Sequence, residues 1–177
     1  MKALENAAKR GRPDIVHVTL LCALDSPLNR RSLLNMYVHT WQDYLIDVDP
    51  RSRIPRNYGR FLGLVEQLYE VGRVPPKGEP LLRIGRRTLK DLVGEVNPSH
   101  VFALSARGEE RSLADLCSEA AKEPTVFLVG GFPAGHFRAD TLSVTDGVFK
   151  VYREAYEAEA IVSRLIYQYE QMVGVTF

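Results

Sequence analysis

The sequence predicts an α/β fold in which a mostly parallel sheet is flanked by helices. Three observations carry this reading. Apolar runs of strand length alternate with helix-spaced segments through most of the chain. The run "TVFLVGG" (125–131) delivers an apolar strand into a glycine turn, as strands of open α/β sheets do at their carboxyl ends. In "NYGRFLGLVEQLYEVG" (57–72), Phe61, Leu64, Val65 and Leu68 stand at i, i+3, i+4 and i+7, the apolar stripe of a surface helix.

In chain order, "DIVHVTLLCAL" (14–24) is a near-continuous apolar run and reads as a buried strand. "NRRSLLNMY" (29–37) has helical spacing, and "YLIDVDP" (44–50) reads as a strand ending at Pro50. The helix over 57–72 has Asn57 as its cap, with Gly72 and Pro75 marking its end. "GRVPPKGEP" (72–80) is a loop, "LLRIG" (81–85) a short strand, and "RTLKDLVGEV" (87–96) begins a helix. "HVFALS" (100–105) is a strand, and "RSLADLCSEAAKE" (111–123) a helix capped by Ser112. "TLSVT" (141–145) reads as a further strand. The closing helix covers about 154–173, with Ala158, Ile161, Leu165, Tyr169 and Met172 among its apolar positions. No repeat or low-complexity tract divides the 177 residues, which read as one domain, 1–177.

Composition sets limits on function. Apolar content of 45% and charged content of 25% match an ordinary soluble globular chain. No apolar run approaches the roughly 20 residues of a membrane helix. The start, "MKALENAAKRGRPD", is polar and helical rather than a secretory signal. A cytoplasmic protein with no membrane partner is expected. Cys22 and Cys117 sit in apolar surroundings and read as buried free thiols. His17, His39, His100 and His136 are scattered without ligand spacing, so they read as structural or surface residues and no metal site is expected.

The charge pattern is more informative. Net charge is only +1, yet "DPRSRIPRNYGRF" (49–61) carries Arg51, Arg53, Arg56 and Arg60 with no acid after Asp49. Of 23 basic residues 17 are arginine, whose rigid fork of donors suits phosphate. Base composition or heat adaptation explains such an excess equally well, so position has to decide. Arg56 and Arg60 are spaced i, i+4, as on one face near a helix start, where free N–H groups and the positive dipole end also favour phosphate. The plain alternative is a set of surface ion pairs, worth about 0–1 kcal/mol each.

The stretch "TVFLVGGFPAGHF" (125–137) supplies Gly130, Gly131 and Gly135 at a strand end, where glycine lets backbone approach a ligand. Its spacing is not G-x-G-x-x-G, and the Lys-Ser/Thr of a phosphate-binding loop is missing, so dinucleotide and nucleotide-hydrolase readings are set aside. Spacing alone leaves a ligand turn and a plain tight turn equally open.

Four segments together resemble one family. "RPDIVHVTLL" (12–21), "LDSPLNR" (24–30), "RIPRNYGRF" (53–61) and "FLVGGFPAG" (127–135) are similar, in the same order, to the signature segments of the Nep/Emg ribosome-biogenesis proteins, in their archaeal form. The resemblance covers about Arg12 to Gly174. It implies a SPOUT-class methyltransferase with a C-terminal trefoil knot, which pattern reasoning alone would not propose. It implies S-adenosyl-L-methionine as cofactor, small-subunit rRNA as partner, a homodimer, and methyl transfer to N1 of a pseudouridine.

By position, the resemblance puts Ser105, Gly130 and Gly135 in the cofactor pocket, with the loop Val151, Tyr152, Arg153, Glu154, Ala155 and Tyr156. That loop, "VYREAY", is more charged than its counterparts, and "VTDGVFK" (144–150) reads as extra length before it. Arg12, Arg53, Arg56 and Arg60 match RNA-contacting arginines. Asp14 matches a residue that orients one of them, or it accepts the proton; the sequence leaves both roles open. A rival reading is an rRNA-binding assembly factor that needs no methyl transfer. A weaker one is a SPOUT enzyme acting on ribose or another base.

Overall fold

The computed structural model describes residues 12–132 and 135–175. The N-terminal segment before Arg12, expected to be helical, and Pro133 of the glycine turn lie outside them.

The run read as a first buried strand is instead helix α1, Pro13–Leu24. Its near-continuous apolar character has a physical cause. Val16, Leu20, Leu21 and Leu24 pack into one core cluster while Ala23 packs into another, so α1 is covered on more than one side. A helix buried all round and a buried strand look alike by periodicity. Length and Pro13, which sits at the N1 position helices favour, were the better signals.

The four-residue α2, Pro27–Arg30, is capped by Ser26, whose hydroxyl accepts the Asn29 N–H at 3.2 Å. The helix expected over 29–37 does not continue. Ser32 takes φ 57°, and Met36–His39 forms strand β1, with Met36 facing the core. Strand β2 (Tyr44–Val48) pairs antiparallel with β1. Helix α3 (Tyr58–Val71) has Asn57 as its cap, accepting the Arg60 N–H, and ends at Gly72 with φ 81°. Arg73–Val74, inside the expected loop, is the two-residue strand β3, and β4 spans Leu82–Arg86. These strands form an antiparallel sheet ordered β1-β2-β4-β3. Its apolar face carries Val38, Ile46, Val48, Leu82 and Ile84 against α1 and α3.

Helix α4 (Leu89–Val96) follows a capping box of Thr88 and Asp91. Then comes the parallel unit: β5 (His100–Glu110), α5 (Leu113–Ala120, capped by Ser112), β6 (Thr125–Val129), α6 (Ala139–Leu142), β7 (Gly147–Lys150) and α7 (Ala158–Val173). The parallel sheet is ordered β6-β5-β7. The strand expected over 141–145 is replaced by α6 and its following turn. Val144 packs there against Leu45, Leu89 and Leu92, and pairing with β5 begins only at Gly147.

The α/β class holds, with parallel pairing confined to three strands among the described residues. Phe102, Leu104, Leu113, Leu116, Cys117 and Leu165 form the core between that sheet, α5 and α7. Leu45 and Leu128 belong to the packing that joins the two sheets. Both cysteines are free thiols; Cys117 is buried, which pushes its thiol up to about 11, and Cys22 is half-buried.

Candidate functional site

The carboxyl ends of β6 and β7, with β5 where its first run of pairing with β7 ends, open into one cleft of about 500 Å³. Its position follows from the parallel sheet, whose strand ends leave backbone groups facing a shared crevice. Ser105 and Ala106 line it where β5 leaves its first run of pairing with β7. Pairing resumes at Glu109, and Gly108 permits the return: a Cβ there would stand 2.5 Å from the Val148 carbonyl oxygen. The glycine turn after β6 contributes Gly130 and Gly135. Gly135 takes φ 98°, a left-handed conformation that favours glycine. Val151, Tyr152, Glu154, Ala155 and Tyr156 close the other wall.

Eight of the nine residues expected at a cofactor site thus line a single cavity. Arg153 does not; it lies at a shallower neighbouring depression with Arg111 and Lys150. Its loop is braced by ring contacts, one of them to Arg164 of α7, which no local pattern marks. The Arg164 guanidinium stands 5.6 Å from the Tyr152 ring centre, and Tyr156 meets Tyr152 edge-on at 5.2 Å. Phe132 and Phe137 meet edge-on at 5.6 Å in the same cleft.

The glycine turn is also tied to the antiparallel sheet. Arg138 donates to the Trp41 carbonyl at 3.2 Å and to Asp43 Oδ1 at 3.0 Å, and its guanidinium lies 4.9 Å from the Trp41 ring centre. His39 Nε2 stands 3.2 Å from the same Asp43 oxygen but misaligned for a hydrogen bond. Burial outweighs Asp43 and holds the His39 imidazole below its ordinary pKa.

Ile15 of α1 lines the cleft, which brings the start of α1 to its rim. Asp14 there engages Arg12 through both carboxylate oxygens: Arg12 Nε donates to Oδ1 at 2.9 Å and Nη2 to Oδ2 at 2.8 Å. The Arg12 guanidinium holds Asp14 below the usual carboxylate range.

The arginine segment 51–60 divides in two. Arg51 is held by Asp49 and Glu79, and that pairing holds Asp49 down to about 2. Arg56 donates to Asp25 at 2.6 Å. Arg53 and Arg60 are exposed, and no carboxylate among the described residues pairs with either side chain. Arg56 also precedes the Asn57 cap, so helical i, i+4 geometry does not relate it to Arg60.

His17, expected as a structural or surface residue, has a specific structural role. It is buried, donates from Nε2 to the Pro55 carbonyl at 2.7 Å, and stacks on Phe61 at 4.4 Å. It thereby holds the arginine segment onto α1. Glu170 of α7, also buried, accepts the Leu28 N–H at 2.8 Å and fixes the "DSPLNR" segment from the other side. Reading 14–24 as a strand concealed the first of these contacts; nothing local signals the second. No group of three or more metal-ligating side chains occurs among the described residues, nor any helix there long and apolar enough to cross a membrane.

Residues 1–170 match the model of the EMG1/NEP1 methyltransferase family. The chain belongs to this family. It is 45% identical over 174 residues to the ribosomal RNA small subunit methyltransferase Nep1 of Pyrococcus furiosus, covering 96% of this chain and 75% of that protein. It is 38% identical over 176 residues to the protein of the same name in Staphylothermus marinus, covering 99% and 76%. Among solved structures it superposes on Archaeoglobus fulgidus Nep1 bound to S-adenosylhomocysteine with a TM-score of 0.83 and 34% identity, covering 97% of this chain and 76% of that one. The chain spans about three quarters of the length of these relatives.

Proposed function

We propose that this protein transfers the methyl group of S-adenosyl-L-methionine to N1 of a pseudouridine in small-subunit rRNA during ribosome biogenesis. The observation that carries the reading is the meeting of two features at one place: a glycine-lined cleft at the ends of a parallel sheet, and the Arg12–Asp14 pair at its rim. The names of the family and its relatives, and the S-adenosylhomocysteine bound to the archaeal neighbour, support the methyl donor and the rRNA substrate.

The cleft suits such a cofactor. Its volume falls in the usual range for small-molecule sites of about 300–1,000 Å³, and apolar and aromatic side chains dominate its lining. Ser105, Gly130, Gly135 and the loop Val151–Tyr156 would hold it, with Arg153 outside the contact shell. The cofactor supplies an activated methyl on a sulfonium; the chain needs to orient the acceptor and stabilise its charge. Arg12, steered by Asp14, would favour the deprotonated N1, whose proton passes to water as the sulfonium gives up its methyl group. Asp14 is already engaged through both oxygens, which suits it to orienting Arg12 better than to accepting a proton. Arg53, Arg56 and Arg60 would hold the RNA backbone, and an unpaired loop nucleotide would enter the cleft.

We further propose that residues 1–177 act as one domain with a C-terminal trefoil knot, and that the protein works as a cytoplasmic homodimer with RNA across both subunits. Two RNA hairpins identical except for pseudouridine or uridine in the loop test the chemistry. Uridine's N1 carries the glycosidic bond, so only the pseudouridine hairpin should gain a methyl on the base, read by mass spectrometry of the digest. Equal methylation of both, or methylation of ribose, overturns the N1 assignment. Binding of the hairpin without any methyl incorporation favours an assembly factor instead.

A further inference from the structure

We propose that Tyr58 is a stacking platform for an unpaired nucleobase, a role that rests on the RNA reading above and adds a residue to it. Tyr58 opens α3 directly after the Asn57 cap and is 38% exposed. Its ring is nonetheless supported. It lies 5.7 Å from the His17 ring and 6.4 Å from Phe61, and His17 and Phe61 are themselves stacked. His17 donates to the Pro55 carbonyl, so the three rings are anchored beneath the arginine segment.

Single exposed aromatics are common and ordinarily need no explanation. Surroundings distinguish this one. Arg56 and Arg60 stand two residues to either side, and Arg53 precedes them. His17, which supports the Tyr58 ring, stands on α1 two residues after Ile15, and Ile15 lines the cleft. The aromatic face is therefore joined to the arginine segment by sequence and to the rim of the cleft through α1.

Arginines at the surface grip phosphates, but a base that leaves its stack, or the neighbour it abandons, needs an apolar face. Positive side chains interleaved with an aromatic ring are the physical signature of single-stranded nucleic-acid binding. Tyrosine accepts any base on its face, so the platform holds the strand without choosing the sequence. A ring already supported by two neighbours loses little freedom on binding.

The test uses the full chain and an RNA hairpin with a single-stranded loop, its affinity measured over a series of salt concentrations. Tyr58→Leu keeps an apolar cover over His17 and Phe61 but removes the π face. It should weaken binding by about 5- to 150-fold, with the salt slope and the affinity for S-adenosylhomocysteine unchanged. Tyr58→Phe and Tyr58→Trp should bind close to wild type. A 2-aminopurine in the loop should be quenched by the wild type and by Tyr58→Phe, and not by Tyr58→Leu.

Wild-type affinity in Tyr58→Leu overturns the platform. So does a change in slope the size of one lost phosphate contact, or a Tyr58→Phe variant as weak as Tyr58→Leu. Should Tyr58→Leu fail to fold, the 2-aminopurine signal of the wild type decides, and absence of quenching overturns the proposal. If Arg53→Ala and Arg60→Ala weaken binding while Tyr58→Leu does not, only the platform falls. If the wild type binds no hairpin, the RNA reading falls with it.

Discussion

The cleft at the parallel sheet and the arginine surface beside α3 are built on opposite principles. The cleft is shaped by backbone: strand ends, a left-handed Gly135, and a Gly108 pressed against β7. The arginine surface is shaped by side chains on a segment whose backbone is fixed from beneath by His17, Phe61 and the Asn57 cap. Changes in the first region should therefore act as all-or-none events, because backbone cannot yield locally in a packed sheet. Changes in the second should be graded, since each guanidinium acts largely alone.

The largest effect is expected at Gly135. Gly135→Val places a branched side chain at φ 98° and fills the cleft. The backbone strain alone is about 1–2 kcal/mol. Calorimetry should show S-adenosylhomocysteine binding lost, while hairpin binding at the arginine surface persists. Retention of cofactor affinity would move the site away from this turn.

Next comes Asp14→Ala, which leaves Arg12 without its carboxylate. Misplacement of a group near the chemistry by about 1 Å costs on the order of 100-fold in rate, so single-turnover methylation should fall by about that factor with cofactor affinity intact. Asp14→Asn separates the two roles. It keeps one acceptor for Arg12 and should recover part of the rate if Asp14 orients, and none if Asp14 takes the proton.

The two regions also differed in how far the sequence revealed them. The amphipathic α3, its Asn57 cap and the Ser112 cap were legible because local patterning decides them. The strand "TVFLV" and the turn after it were legible because an apolar run ending in glycines marks a strand and its turn; whether that turn faces a ligand was not, since spacing left both uses open. Helix α1 was not. Its apolar residues serve two cores, which erases the one-sided periodicity that marks a surface helix. The Arg138 junction, the Glu170 bond and the stack beneath Tyr58 join residues far apart in sequence, and no local pattern encodes such partners. The pairing of Arg56 with Asp25 was hidden for the same reason.

That pairing sharpens the graded half of the comparison. Among the described residues Arg53 and Arg60 have no carboxylate to release, whereas Arg56 must exchange Asp25 for phosphate. Arg53→Ala and Arg60→Ala should each lower the log–log salt slope of hairpin binding by about 0.7, the value for one single-strand phosphate contact. Arg56→Ala should lose less affinity than either, and Asp25→Asn should bind more tightly than wild type. Arg107→Ala, outside the cluster and exposed, serves as the control. Equal losses at all four arginines would reduce the surface to diffuse attraction.

The smallest effect is expected where the two regions meet. Arg138 ties the cofactor turn to the β1–β2 hairpin through Asp43, and the half-buried His39 faces the same carboxylate together with Arg138 and Asp140. Burial holds the folded-state His39 pKa below its ordinary value near 6.5. Between that lowered value and about 6.5 the unfolded chain binds more protons than the folded one. The contribution is therefore complete above about pH 6.5 and is lost as pH falls through the folded pKa. A change of about 1 kcal/mol moves the melting temperature of a chain this size by about 2–4 °C; a single, partly buried ring should keep the shift at or below that. His39→Gln cannot titrate and should flatten this step while leaving the acid denaturation of the carboxylates in place. Affinity for S-adenosylhomocysteine should weaken over the same window in the wild type only, because the charged ring competes with Arg138 for Asp43. A step that survives in His39→Gln would mean that the junction does not sense pH and that the two regions are coupled through packing alone.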